Sequence, residues 1–302
     1  ICLILVRLLS FPLWQSDSLT VTGDARGMMA VWRDGAVVST WIVDKLAVAD
    51  CVFAGPGQLA TVAHSGNVTL WQLGADALAQ QMRQATLGCP LTRVAYCPSK
   101  GLLAVGGWDG AVAVYDAQTL ERAFVAMPAC NEWIASLHFT GSLLTATLLS
   151  GRIQVLDCAT QTPLGTVGSA QHGVGVDQPW ITAAVSRGAR FDALSAVVAG
   201  DTNGNLLCWV DGDAHQPRAQ PAHDGRIHRL DWLEDVQVLM SCGQDGSTKL
   251  WRPQGPGRFE QVGEFVCRAP CTSMARRDDR LVLGDELGGV YLLSTNAYTA
   301  TL

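Results

Sequence analysis

The sequence predicts an all-β chain of seven like units, and three observations carry that expectation. First, a polar turn ending in glycine is followed five residues later by a bulky residue that closes an apolar run. The pattern runs Gly27 to Trp32, Gly66 to Trp71, Gly110 to Tyr115, Gly151 to Leu156, Gly204 to Trp209, Gly246 to Trp251 and Gly288 to Leu293. Second, successive glycines stand 39, 44, 41, 53, 42 and 42 residues apart, a spacing that marks a chain of repeated supersecondary units. Third, each period holds four short runs and no convincing long helix. Seven four-stranded antiparallel units arranged radially make a seven-bladed β-propeller, which leaves only short protected edges. One continuous propeller over 1–302 is therefore a better count than the two domains that length alone would allow.

Within each unit the elements follow in a fixed order. An inner strand comes first, as in RVAYC, WIASLHF, WITAAV and RIHRLDW. A second apolar run leads into the glycine turn, as in QLATVA, LLAVGG and VQVLMSCG, and the VW, LW, VY and CW runs leave it. Glycine supplies the positive φ of these hairpin turns without a Cβ clash. A more polar fourth run closes the unit, as in AVVSTWIV and FEQVGEFV, and reads as the outer, solvated strand. Ala77 to Thr86 has some helical character but is read as an outer strand, because the repetition overrides local propensity.

The two ends and the long period carry their own expectations. ICLILVRLLSFPLW resembles the apolar part of a signal peptide, but no small-residue cleavage site follows and it is too short to span a bilayer. Its position is that of the first inner strand. The chain lacks an initiator Met and is expected to be a piece of a longer protein, with Asn296 to Leu302 supplying the outer strand of the last unit. The excess in the 53-residue period falls in Gly168 to Gln178, expected as a mobile loop because it is rich in glycine.

Composition excludes several classes. A formal charge of −6 with 16% charged residues leaves no basic stripe for nucleic acid. The short run Arg276-Arg277 is balanced by Asp278 and Asp279. The ten cysteines are irregularly spaced, mostly in predicted strands, and read as reduced, buried thiols of a reducing compartment. Cys267 and Cys271 form the single close pair, with no second ligand pair at zinc-site spacing, so no metal is expected.

The residues then reach a family. The sixth unit carries His223, Ser241, Asp245 and Trp251, which resemble the structural tetrad of WD-repeat propellers, a loop His, a strand Ser, a turn Asp and a strand Trp linked by hydrogen bonds. The naming dipeptide survives in weakened form as Tyr115-Asp116 and Leu156-Asp157. The turn Asp recurs at Asp109 but is replaced by Arg26, Ser65, Ser150, Asn203 and Leu287 elsewhere, which predicts weaker blades there. The resemblance covers nearly the whole chain and implies a rigid, non-catalytic platform that binds other proteins or peptides, as part of a larger assembly, in the cytoplasm or nucleus. A narrower alternative comes from LVLGDELGGVYLL, similar to the last blade of C-terminal sensor propellers in NACHT or apoptosome-like signalling ATPases.

Catalytic signatures are missing. No phosphate loop, dinucleotide fingerprint, H-E-x-x-H or G-x-S-x-G occurs, and no cofactor is expected. His64 beside Ser65 reads as a polar turn, since no third partner is identifiable. An enzyme with sequence-distant groups meeting at the channel mouth is the remaining alternative. In WD-repeat propellers the inner strand starts at the face where the hairpin turns lie. That resemblance groups Pro90, Trp133, Trp180, Arg226 and Pro270, each just before an inner strand, on one rim, with Trp108 and Gln244 joining from the hairpin side. Trp and Arg dominate interface hot spots, so Trp108, Trp133, Trp180, Arg226 and Gln244 are the candidate partner-binding residues. The alternative is that Trp133 and Trp180 turn inward and fill the spaces between blades.

Overall fold

The computed structural model describes residues 5–10, 18–167, 180–186, 197–209, 217–233, 236–255, 257–277 and 280–294. Glycine turns and alternating apolar runs give antiparallel sheets wherever they recur. Every described regular element is a strand, and the chain forms a seven-bladed β-propeller. Six sheets have four strands in sequential order and the seventh has three among the described residues. The proposed fourth strand at Asn296 to Leu302 and the Gly168 to Gln178 loop lie outside the described residues.

The inner strands are Leu5–Ser10, Val48–Gly55, Leu91–Cys97, Ile134–Thr140, Ile181–Ser186, Ile227–Leu233 and Cys271–Arg277. The first of these packs against the first two strands of the last blade, which closes the ring. Ala79–Thr86 is an exposed outer strand, as the repetition requires. The apolar core lies between blades. Val62, Val68 and Leu70 of blade two, for example, pack with Leu91, Val94 and Leu103 of blade three.

In blades two to seven the inner strand skips one residue at its second position. The skipped residues are Ala49, Thr92, Ala135, Thr182, His228 and Thr272. Such bulges re-aim a side chain at the rim of a sheet, and here several aim it at the next blade. Thr92 Oγ1 donates to Ile134 O at 2.8 Å, Thr182 Oγ1 donates to Ile227 O, and Arg93 Nε donates to Ala135 O at 2.7 Å.

Toward the outside, a second device fixes the third strand to the second. Trp251 Nε1 donates to Ser241 Oγ, Trp71 Nε1 to Thr61 Oγ1 and Trp32 Nε1 to Thr22 Oγ1, each ten residues back. The spacing is that of diagonal residues across the hairpin, two past the facing position. Where the Trp is lost the hydroxyl is lost too, as in Tyr115 with Val105, Leu156 with Ala146 and Leu293 with Leu283. Blade five breaks the rule. Trp209 is 1% exposed, Ala199 stands where the hydroxyl belongs, and the indole N–H has no partner among the described residues.

A buried donor without an acceptor costs stability. Ala199→Ser is therefore expected to stabilise the protein by about 1 kcal/mol, read as a raised thermal midpoint. Trp251→Ala is expected to cost about 3–5 kcal/mol through lost burial and the cavity left behind. A lowered midpoint for Ala199→Ser would show that the Trp209 indole is satisfied in another way.

Candidate functional site

The turn face is built from carboxylates and backbone. In blade six, His223 Nε2 meets Ser241 Oγ at 2.7 Å, its Nδ1 meets Asp245 Oδ1 at 3.0 Å, and Asp245 Oδ1 accepts from Ser247 N at 2.9 Å. Ser241 thereby joins His223 to Trp251. Burial pushes the His223 pKa down against the pull of Asp245, so the ring is neutral at neutral pH. Burial also works against the Asp245 charge, but its bonds to His223 and Ser247 outweigh it and hold the carboxyl at about 2.

The other turns solve the same problem with different residues. In three of the blades said to lack the turn Asp, an Asp three residues before the glycine caps the turn. Asp24 accepts from Arg26 N and Met28 N, Asp201 from Asn203 N and Asn205 N, and Asp285 from Leu287 N and Gly289 N. The signal was present in the sequence as G-D-x-x-G at TGDARG, AGDTNG and LGDELG, and was missed. In blades two and four the polarity is reversed. Ser65 donates to Asp44 and Ser150 to Glu132, acids that come from the loop before the inner strand. Ser65 is thus a structural donor to Asp44 rather than a partner of the neighbouring His64.

Just inside these turns lies a last rung. In blades two to seven the residue before the inner strand accepts a backbone hydrogen bond from the residue after the second strand. The pairs are Ala47 with His64, Pro90 with Trp108, Trp133 with Leu149, Trp180 with Thr202, Arg226 with Gln244 and Pro270 with Glu286. One register therefore places Trp108, Trp133, Trp180, Arg226 and Gln244 on the same rim. The three indoles are exposed, at 37% for Trp108, 47% for Trp133 and 44% for Trp180, rather than folded between blades.

Trp108 and Trp133, from adjacent blades, stack with ring centroids 4.5 Å apart and planes 6° from parallel, and His64 tilts against Trp108 at 5.7 Å. His64, Trp108, Trp133, Trp180, Arg226 and His228 line one depression of about 280 Å³, with Thr92, Arg93 and Thr182 among its other walls. Gln244 does not line it directly but holds His228, with Gln244 Oε1 2.9 Å from His228 Nε2. One residue further along the inner strands, Arg229 of blade six comes within 3.8 Å of the buried Asp50 of blade two. Since these blades are not neighbours, that pair spans the channel beneath the depression. Sequence reasoning did not single out Arg93, read His64 only as a polar turn and assigned no role to His228. His228 is reached only through its bulge, which a sequence pattern does not mark.

Residues 82–116 match the WD domain, G-beta repeat, and residues 223–295 match the TEP-1 C-terminal beta-propeller. The chain is a WD-repeat β-propeller. Among its relatives is WD repeat-containing protein 90 of Xenopus tropicalis, 26% identical over 268 residues, covering 82% of this chain but 14% of that protein. Protein transport protein SEC31 of Coccidioides immitis is 24% identical over 229 residues, covering 69% of this chain and 17% of its own length. The WD-repeat chain thus spans a small part of these proteins. Among solved structures, Saccharomyces cerevisiae Sqt1 superposes with a TM-score of 0.67 at 17% identity, covering 91% of this chain and 79% of that one, which is a likeness of fold.

No group of three or more His, Cys, Asp or Glu able to hold a metal occurs among the described residues. Cys267 and Cys271 pack with Cys242 in the core between blades six and seven. Acid is expected to loosen the turn face through two groups. His223, with its pKa lowered from 6.5, gives stability that is present above that value and lost as pH falls below it. Asp245, lowered from 3.8 to about 2, gives stability that is lost as pH falls through that lower window. The thermal midpoint of Asp245→Asn, measured against pH, should lack the second of these losses. An unchanged acid limb would mean that the pair contributes nothing.

Proposed function

We propose that this propeller is a non-catalytic protein-interaction module that captures partner proteins or peptides at the channel mouth. One observation carries the reading. Four rim residues from four blades line one depression, three of them exposed Trp and the fourth Arg. These residue types supply large, rigid contact area and dominate binding energy at interfaces. The ring of blades beneath them is stitched by side-chain bonds, so the mouth is held ready rather than formed on binding. Relatives named for repeats and for protein transport favour work within assemblies. Nine described cysteines are free, which suits the cytoplasm or nucleus.

A narrower reading is favoured by the match of residues 223–295 to a propeller described as C-terminal, which includes the LVLGDELGGVYLL stretch. In that reading the propeller is the C-terminal sensor or autoinhibitory part of a NACHT or apoptosome-like ATPase. The full-length gene decides it, by encoding a nucleotide-binding domain upstream or not.

Pull-down from cell extract with the intact protein tests the module. Trp133→Ala and Trp180→Ala should each weaken capture by more than about 2 kcal/mol while leaving the thermal midpoint unchanged. Undiminished capture by the double variant would exclude this rim as the binding site.

A further inference from the structure

The mouth has a charge opposite to that of the molecule. The chain carries 27 acidic and 21 basic residues, yet among the described residues the depression is walled by Arg93, Arg226, His64 and His228 with no Asp or Glu. The nearby acids are engaged elsewhere or lie off the lining. Glu132, next to Trp133, takes Ser150 and Arg152, and Asp50 faces Arg229 deeper in the channel. Asp109 caps its own turn through Ala111 N, and Glu286 stands on the rung of blade seven, outside the lining.

The two arginines are held in different ways. Arg93 is oriented by the carbonyls of Ala135 and Thr92. Arg226 is exposed and has no hydrogen bond or ion pair from its side chain among the described residues. The field they produce is felt by their neighbours. After burial, the Arg93 charge lowers the pKa of His64, and the Arg226 charge is among the causes that lower that of His228.

Beside this positive floor lie the indoles. Trp108 and Trp133 are stacked on each other, so no ring can enter between them, and what they offer is an outer face. A depression of about 280 Å³ takes a few side chains of an extended segment rather than a folded surface. Single-stranded nucleic acid also uses aromatic faces with Arg, but it needs a basic groove that follows its backbone. Here two arginines stand on a molecule of charge −6.

Resting on the reading of the mouth as a partner-binding site, we infer that its occupant is an acidic linear segment of a partner protein. An Asp or Glu carboxylate of that segment faces Arg226 and Arg93, and a neighbouring apolar side chain lies on the exposed faces of Trp133 and Trp180. The charge-assisted bonds to guanidinium set which segment is chosen, and the indoles supply the contact area.

The test is selection of phage-displayed random short peptides on the full chain, followed by titration of the enriched peptides in synthetic form. Random single-stranded oligonucleotides are titrated in parallel, with tryptophan fluorescence as the readout. Enriched peptides should carry Asp or Glu close to an apolar residue. Arg226→Ala and Arg226→Glu should weaken them by about tenfold or more, Arg226→Lys should retain most of the affinity, and added salt should weaken binding. Thermal midpoints of all variants are measured so that loss of fold is not taken for loss of binding. Peptides without acidic preference that still depend on Trp133 and Trp180 would overturn the acidic assignment and leave the mouth as the site. Peptides insensitive to Trp133→Ala, Trp180→Ala and the Arg226 variants alike, or no enrichment at all, would overturn both. Oligonucleotides that bind more tightly than any selected peptide would overturn the peptide in favour of a single strand.

Discussion

A carboxylate at each hairpin turn holds the turn face of this propeller together. A tight turn leaves backbone N–H groups pointing at one another with no strand to receive them, and an Asp side chain two residues back can take them. Asp24, Asp201 and Asp285 do this from the start of the turn, and Asp109 and Asp245 from its end. In blades two and four the acid comes from the incoming loop and grips a turn serine. The loop residue also ties blades to each other. Asp44 N donates to Gly27 O of blade one while its carboxylate holds Ser65 of blade two, and His223 N donates to Gly204 O of blade five while its ring holds Asp245 of blade six. A Cβ at Gly204 would overlap the His223 carbonyl, which is why the repeat keeps glycine there.

The same logic explains why the tetrad can decay without loss of the fold. In blades three, four and seven Trp and hydroxyl are replaced together, so that neither is left without the other. Tyr115 over Val105 and Leu156 over Ala146 are dry versions of Trp251 over Ser241. Trp209 over Ala199 is a half-replaced pair, and it leaves a buried donor in a core otherwise satisfied at that position.

Function follows from what the rigid frame leaves at its opening. Because six rungs share one register, residues far apart in sequence are delivered to one rim, and each blade can vary its own rim residue without disturbing its neighbours. Blades three to five contribute indoles and blade six an arginine, so the mouth is aromatic on one arc and cationic on the next. The Arg229–Asp50 pair lies across the channel below, so the depression has a polar floor.

Blade number, strand order and the identity of the inner and outer strands were legible in the sequence, because a glycine turn and an alternating strand are local events repeated seven times. Even Ala79–Thr86 was readable as a strand, since the period outweighed its helical composition. The rim residues could be named from the inner-strand register, but not their exposure, which depends on how adjacent blades splay and whether Trp108 is there to stack on Trp133. That Asp24, Asp201 and Asp285 do the work of the turn aspartate was written in the G-D-x-x-G spacing, but it becomes recognisable only once the structure shows a carboxylate capping the turn from its start. The positive sign of the mouth belongs to tertiary structure alone. Net charge is a sum over the chain, whereas Arg93 and Arg226 meet only because bulges and rungs on separate blades converge around one axis.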